Sequence, residues 1–414
     1  MKLLNRNFTL IMIGQIVSLF GNATLRFALP LYLLDRTGSA SLFGVVLACS
    51  FIPMVLLSPI GGILADRVNK RNIMVILDFF TAILAAFFLL SNGLFSPEAL
   101  VLIVMMLLSA IQSLYQPSVQ SSIPFLQEKE NLMTANAIIN QISALANLIG
   151  PVLGGIVYEA FGITQVVIIS GICFFLSAVM EIFIRIPYNK LPGEGSVISI
   201  VKQDMADSLH YIHREKPIIQ KVIIIVALFN LVLSSMIIVG VPVIIKIHLA
   251  LSGQLYGYAQ GISAAGGLLG GVLVGVFANK LNVEKVWKLL LAAVATLLPI
   301  GVCLLFGAPP MVSYVVLVCC YFLMMLLATM FTVQMLSYVQ GEVPGNLIGK
   351  VISFVMAISM CSQPIGQALY GVLFDWLAPQ WIVFGSLVIS AAIVIGSRKA
   401  FSHINDDSKK DLAM

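Results

Sequence analysis

Apolar residues recur along the chain in runs of roughly 18 to 30 positions, each bounded by a short polar or charged stretch. A helix rises about 1.5 Å per residue, so about 20 such residues cross hydrocarbon about 30 Å thick. The pattern predicts twelve spanning helices, near 8–34, 42–64, 72–91, 98–120, 134–157, 163–186, 218–247, 255–278, 286–307, 311–337, 347–374 and 380–398. The period-two alternation of a membrane barrel is absent. Most connections are short. The exception is the polar segment 187–217, which divides the chain into two groups of six spans, 1–186 and 218–398, with a polar tail at 399–414. Within that segment Ile198, Val201, Met205, Leu209 and Ile212 form one apolar stripe, which predicts an amphipathic helix on the cytoplasmic membrane surface.

The two groups echo each other. Ile123-Pro124, Glu128, Glu130 and Asn131-Leu132 follow the fourth span, and Glu342, Pro344 and Asn346-Leu347 follow the tenth. The turn GVFANK, Gly275–Lys280, likewise resembles GGILADR earlier in the chain. A repeat of about 215 residues in a twelve-span chain predicts an all-α membrane protein of two pseudo-symmetric six-helix lobes.

Composition agrees. Hydrophobic residues make up 60% of the sequence and charged residues 10%, with a mean hydropathy of +1.04. A soluble domain carries about 25% charged residues. The net charge of +5 reads as orientation rather than as a nucleic-acid footprint. With both termini and the even-numbered loops inside, all but Arg26, Arg36 and Lys246 of the 23 Lys and Arg residues fall on the inner side. That bias places both termini in the cytoplasm. The first apolar run extends to about Leu34 without a small-residue cleavage site, so it is expected to remain as the first span. The six cysteines fall in apolar runs with neither disulfide nor zinc spacing, and read as small buried hydrophobes.

Charges at membrane depth are costly, and each is a candidate functional residue. Glu181 precedes Arg185 by four residues, the order of a helical ion pair. Asp78 lies two turns beyond Arg71, where it would anchor the preceding loop or carry a proton. Arg26 has no acid three or four residues away, so it lines a cavity or snorkels to the outer interface. Gln112, Tyr115 and Asn140 are among the polar and aromatic residues that would line the same cavity. The stretch GNLIGK, Gly345–Lys350, lacks the spacing of a phosphate loop, and Val351 stands where Ser or Thr is required. With no metal cluster and no nucleophile–base set, neither enzyme activity nor a cofactor is expected.

The stretch GGILADRVNKR, Gly61–Arg71, joins the second and third spans. Through Gly62, Leu64, Ala65, Asp66, Arg67, Lys70 and Arg71 it resembles the loop signature of the major facilitator superfamily. Asn69 stands at the usual glycine, a change that a turn tolerates because Asn accepts left-handed conformations. Gly14-Gln15, Val17-Ser18-Leu19, Thr37-Gly38-Ser39-Ala40 and Arg185-Ile186-Pro187 resemble the branch that includes macrolide efflux proteins and enterobactin exporters. The resemblance implies a monomeric secondary transporter of the cell membrane. It would export an amphiphilic small molecule by alternating access, driven by proton antiport. It further implies that Asp66 latches onto the start of the eleventh span, near Gly349 and Lys350. Arg67, Lys70 and Arg71 would then pair with acids or lipid headgroups.

Gly150, Pro151, Gly154 and Gly155 resemble the G-P-x-x-G-G element of drug antiporters, with Ala137 and Ala146 in place of its two upstream glycines. The fourth span reads Leu107-Leu108-Ser109-Ala110 where many proton-coupled exporters carry an arginine. Export of a siderophore, lipid or metabolite stays open, as does import. From another class, lipid scrambling or a non-transporting scaffold or sensor role also stays open.

Overall fold

The computed structural model describes residues 5–91, 93–187, 212, 217–277, 286–344 and 347–402. Its regular elements are helices: α1 (Arg6–Thr37), α2 (Ala40–Arg67), α3 (Lys70–Ser91) and α4 (Pro97–Leu126) come first. A helical stretch of 51 residues, Leu132–Ile182, follows. It is broken at Gly162, whose φ of 80° and ψ of 178° only glycine adopts readily, so it is two helices, α5 (132–161) and α6 (163–182). Next come α7 (217–248), α8 (Gly253–Phe277), α9 (Trp287–Leu305), α10 (Pro310–Glu342), α11 (Ile348–Trp376) and α12 (Pro379–Ser402). These are the twelve expected spans. The helix α4 runs on to Leu126 and α10 to Glu342, past the expected ends at 120 and 337. The apolar run marks the hydrocarbon, whereas backbone hydrogen bonding carries a helix on into the polar interface.

Local chemistry sets the ends. Asn5 caps α1 by accepting from the Phe8 N–H at 3.0 Å, and Gly38, at φ 65°, ends it. Ser96 caps α4, with Pro97 in the first turn. Asn69 is not left-handed. Its side chain accepts from the Arg71 N–H at 3.1 Å, so it starts α3 as a cap rather than bending a turn as glycine would.

Contacts divide the chain into two compact units. The first holds Met1–Gly38, Val46–Ser199 and Ser252–Gly261; the second holds Ser39–Val45, Ile200–Leu251 and Ile262–Met414. The first turns of α2 and α8 therefore each go with the unit that holds the rest of the other sequence half. In the first unit Phe8, Ile11, Met74, Tyr115, Val119, Ile123, Ala135 and Ile139 form a buried core. Large apolar side chains such as Leu56, Ile83, Leu90 and Val388 stand exposed on their helices, as lipid-facing residues do. Trp376 and Trp381 are exposed at helix ends, the place of an interfacial aromatic belt. Of the six cysteines, Cys320 is buried while Cys319 and Cys361 are exposed, which corrects the uniformly buried reading. In a membrane, an exposed apolar face is still out of water.

In the second unit α7 contains two π-helical turns, Asn230–Ser234 and Ile244–His248. At the first, the Asn230 amide donates to the Ser359 carbonyl at 3.0 Å, and the Ser235 hydroxyl reaches the Gln363 carbonyl beside Pro364 at 2.9 Å. These bonds tie α7 to α11 on either side of Met360, whose carbonyl Pro364 leaves without its helical donor.

Gly162→Ala is expected to destabilise the first unit by about 1–3 kcal/mol through backbone strain alone, since an added Cβ meets nothing within 4 Å. Thermal unfolding in detergent measures it. An unchanged melting temperature would show that the α5–α6 junction relaxes.

Candidate functional site

The chemistry of the first unit gathers where α1, α3, α4 and α6 meet. Gln15, Ser18, Asn22 and Arg26 lie three or four residues apart, so they form one polar stripe along α1. Close packing turns that stripe inward. A Cβ on Gly21 would come 2.9 Å from the Cys173 Cβ, and one on Gly14 3.4 Å from the Ser177 hydroxyl, so glycine lets α6 approach.

Two carboxylates result in the interior. Glu181, 1% exposed, accepts from the Tyr115 hydroxyl at 2.6 Å, and the Gln15 amide donates to that same hydroxyl at 2.9 Å. Asp78, 2% exposed, accepts from the Ser18 hydroxyl at 3.1 Å. Neither acid meets a lysine or arginine among the described residues. Glu181 turns to Tyr115 instead of to the exposed Arg185, whose N–H meets Asn7. Asp78 does not anchor Arg71, whose guanidinium donates to the Ile182 carbonyl at the end of α6. A small cavity lined by Ser18, Asn22, Asp78, Thr81, Gln112 and Tyr115 has room for about one water. Asp78 Oδ2, Glu181 Oε2, Gln15 Oε1 and Asn22 Oδ1 are buried without a protein partner.

One turn further along α1, the Arg26 guanidinium donates to the Ser109 hydroxyl at 2.9 Å, and Asn22 donates to Gln112 at 2.6 Å. Arg26 thus brings a guanidinium from α1 to Ser109, within the Leu107–Ala110 stretch of α4. Asn140 lies apart, exposed on α5. Ser18, Asn22 and Ser109 were not among the expected site residues; the stripe on α1 is the sequence signal for the first two.

The side chain of Asp66 lies outside the described residues, as do most of the segment 187–217, with its expected helix, and the tail beyond residue 402. Around Asp66, Gly62 is open to addition of a Cβ and Arg67 is half-buried. Lys70 is buried with its ammonium 4.6 Å from the Phe125 ring centre. Lys70 and Arg71 thus each meet a group of the protein. The glycine element packs as small residues should. A Cβ on Gly150 would fall 2.4 Å from that of Ala23, one on Gly154 3.0 Å from the Phe27 ring, and one on Gly155 2.8 Å from the Gly253 carbonyl.

The chain is 24% identical over 404 residues to macrolide efflux protein A of Streptococcus pyogenes, covering 94% of each. It is 29% identical over 155 residues to the multi-drug resistance efflux pump PmrA of Streptococcus pneumoniae, covering 37% of this chain and 38% of that one. The fold matches a crystal structure of the nucleoside transporter NupG at a TM-score of 0.76, with 14% identity, covering 96% of this chain and 100% of the other. The sequence pattern described as Major Facilitator Superfamily covers residues 11–366, and the chain belongs to that family of membrane transporters.

Proposed function

We propose that this transporter exports amphiphilic small molecules of the macrolide type by proton antiport, and that the Asp78–Tyr115–Glu181 cluster takes up and releases the proton. The single observation that carries the coupling is two carboxylates buried in one unit without a cationic partner. Holding both as anions would cost several kcal/mol apiece, so their charge is the thing a proton can change. Tyr115 accepts from Gln15 and donates to Glu181, so its hydroxyl is oriented to steady Glu181 as that acid gains or loses a proton. Arg26, fixed on Ser109, supplies a positive charge that a substrate can feel. The carrier works as a monomer in the cytoplasmic membrane with both termini inside, alternating access to its two sides. Siderophores and lipids belong in the substrate screen beside macrolides, dyes and ionophores.

In everted vesicles, a substrate found by that screen should accumulate when respiration starts and leave when an uncoupler is added. One charge moving down 100 mV supplies about 2.3 kcal/mol, or nearly fiftyfold accumulation at full coupling. Uptake that needs ATP and survives the uncoupler would overturn the reading.

Asp66→Asn tests the loop latch. The change keeps the side chain's size and removes its charge, so efflux should fall about tenfold or more while substrate binding and expression persist. Near-normal efflux would leave the loop as a topology signal only.

A further inference from the structure

Two rungs join α1 to α4. Arg26 donates through Nη2 to the Ser109 hydroxyl, and one turn back Asn22 donates to the side-chain oxygen of Gln112. Each rung leaves donors over. A guanidinium carries five N–H groups, and those on Arg26 Nε and Nη1 meet no group among the described residues. They are not sealed in either, because Arg26 is only half-buried and neither nitrogen is closed off from solvent. Gln112 commits its oxygen to Asn22, so its two amide N–H groups remain, on a half-buried side chain one turn from Ser109. Asn22 Oδ1, the acceptor of that pair left over, is buried. The open side of both rungs is therefore rich in donors.

Its charge has no counterpart in the protein. No described carboxylate pairs with Arg26. Asp78 is held by Ser18, eight residues and about 12 Å back along α1. A buried acid sheds its charge by taking a proton, but arginine stays charged at any physiological pH. Turned toward lipid it would be costly, so the open side of the fork faces water or a solute. Geometry then selects the solute. Two parallel N–H groups match a planar carboxylate or a phosphate, and such paired, charge-assisted bonds are the strong ones.

We infer that Arg26 and Gln112 form an oxyanion site for the cargo, and that the amphiphiles this carrier holds best bear a carboxylate or an equivalent acidic group. The inference rests on the export reading and narrows it: acid-bearing compounds come ahead of neutral and cationic ones in the substrate screen. The polar stripe of α1 then has two ends of opposite sense. Gln15 and Ser18 lead to the buried acids, and Arg26 receives the head of the cargo. A free anion such as inorganic phosphate offers the same oxygens. At membrane depth the amphiphile has the advantage, because it brings apolar surface that gains from leaving water, whereas a bare ion only loses hydration.

The test is equilibrium binding to the purified chain in nanodiscs of zwitterionic lipid, without an ion gradient. The probes are dansyl-aminoundecanoic acid and its methyl ester, which differ only at the head group, and binding to empty nanodiscs is subtracted. The wild type should hold the acid at least about tenfold more tightly than the ester. Arg26→Gln should bring the two within about twofold of each other, and Gln112→Ala should lower the preference in the same direction. Arg26→Lys should keep a weaker preference, since the charge stays and the fork is lost; it serves where Arg26→Gln does not fold. Equal binding of acid and ester by the wild type, or an undiminished preference in Arg26→Gln or Arg26→Lys, would overturn the site. Inorganic phosphate should displace the acid only at roughly a hundredfold higher concentration than undecanoate does. Displacement at equal concentrations would make this a site for free anions and overturn the cargo assignment. Proton coupling does not enter the readout, so uncoupler-sensitive efflux beside equal acid and ester binding would sink this inference alone.

Discussion

Glu181→Gln is expected to abolish gradient-driven accumulation while leaving exchange of labelled for unlabelled substrate intact. The amide keeps the size of the acid and its hydrogen bond to Tyr115, so packing of the 1%-exposed side chain should survive. It cannot take up and release a proton. Accumulation driven by respiration should fall from as much as about fiftyfold to the passive level near unity. Asp78→Asn should behave alike, because Asp78 is equally without a cation among the described residues. Tyr115→Phe should be milder, a several-fold loss of rate, since it removes the hydrogen bond to Glu181 but spares both acids. The measurement is uptake into everted vesicles at a series of lumenal pH values, with exchange measured in parallel without a gradient. If Glu181→Gln accumulates substrate with the wild-type pH dependence, the pair is a packing element and the proton travels elsewhere.

Arg26→Ala should lower efflux by about tenfold or more, the second large effect. A guanidinium at membrane depth is retained at a cost of several kcal/mol unless polar surroundings receive it, and here it is held on Ser109. Arg26→Lys should recover part of the activity, because Lys keeps the charge but loses the planar fork. Ser109→Ala should be weaker than either, since it frees the guanidinium without removing it. A cysteine at position 26 should react with a small aqueous thiol reagent, and saturating substrate should slow that reaction. Normal efflux by Arg26→Ala, with an inert cysteine, would leave Arg26 a membrane-interface residue.

The twelve spans were legible from the apolar runs alone, because a bilayer demands about 20 apolar residues wherever a helix crosses it. The same demand makes a charge inside a run conspicuous, and so Arg26, Asp78 and Glu181 stood out before any partner was known. Glycine at 150, 154 and 155 announced close packing, which the approaches to Ala23, Phe27 and Gly253 bear out. Partners were another matter. Spacing pointed Glu181 to Arg185 and Asp78 to Arg71, because a single helix offers partners only at steps of about three, four or seven residues. The fold pairs them instead with Tyr115, 66 positions away, and Ser18, 60 away. Which face of α6 meets α1 is decided by the fit of Gly14 and Gly21 against Ser177 and Cys173, and that fit exists only once both helices are in place.

Contacts at helix ends lay still further from sight. Asp375 and Glu159 are exposed acids at the ends of apolar runs, and they accept from the backbone N–H groups of Ala40, Ser41 and Gly253, a donor that every residue but proline carries. Sequence records the element count, the buried charges and the small residues, since each is a property of side chains in one segment. Tertiary structure alone decides which acid meets which donor, because those bonds join segments that only folding brings together.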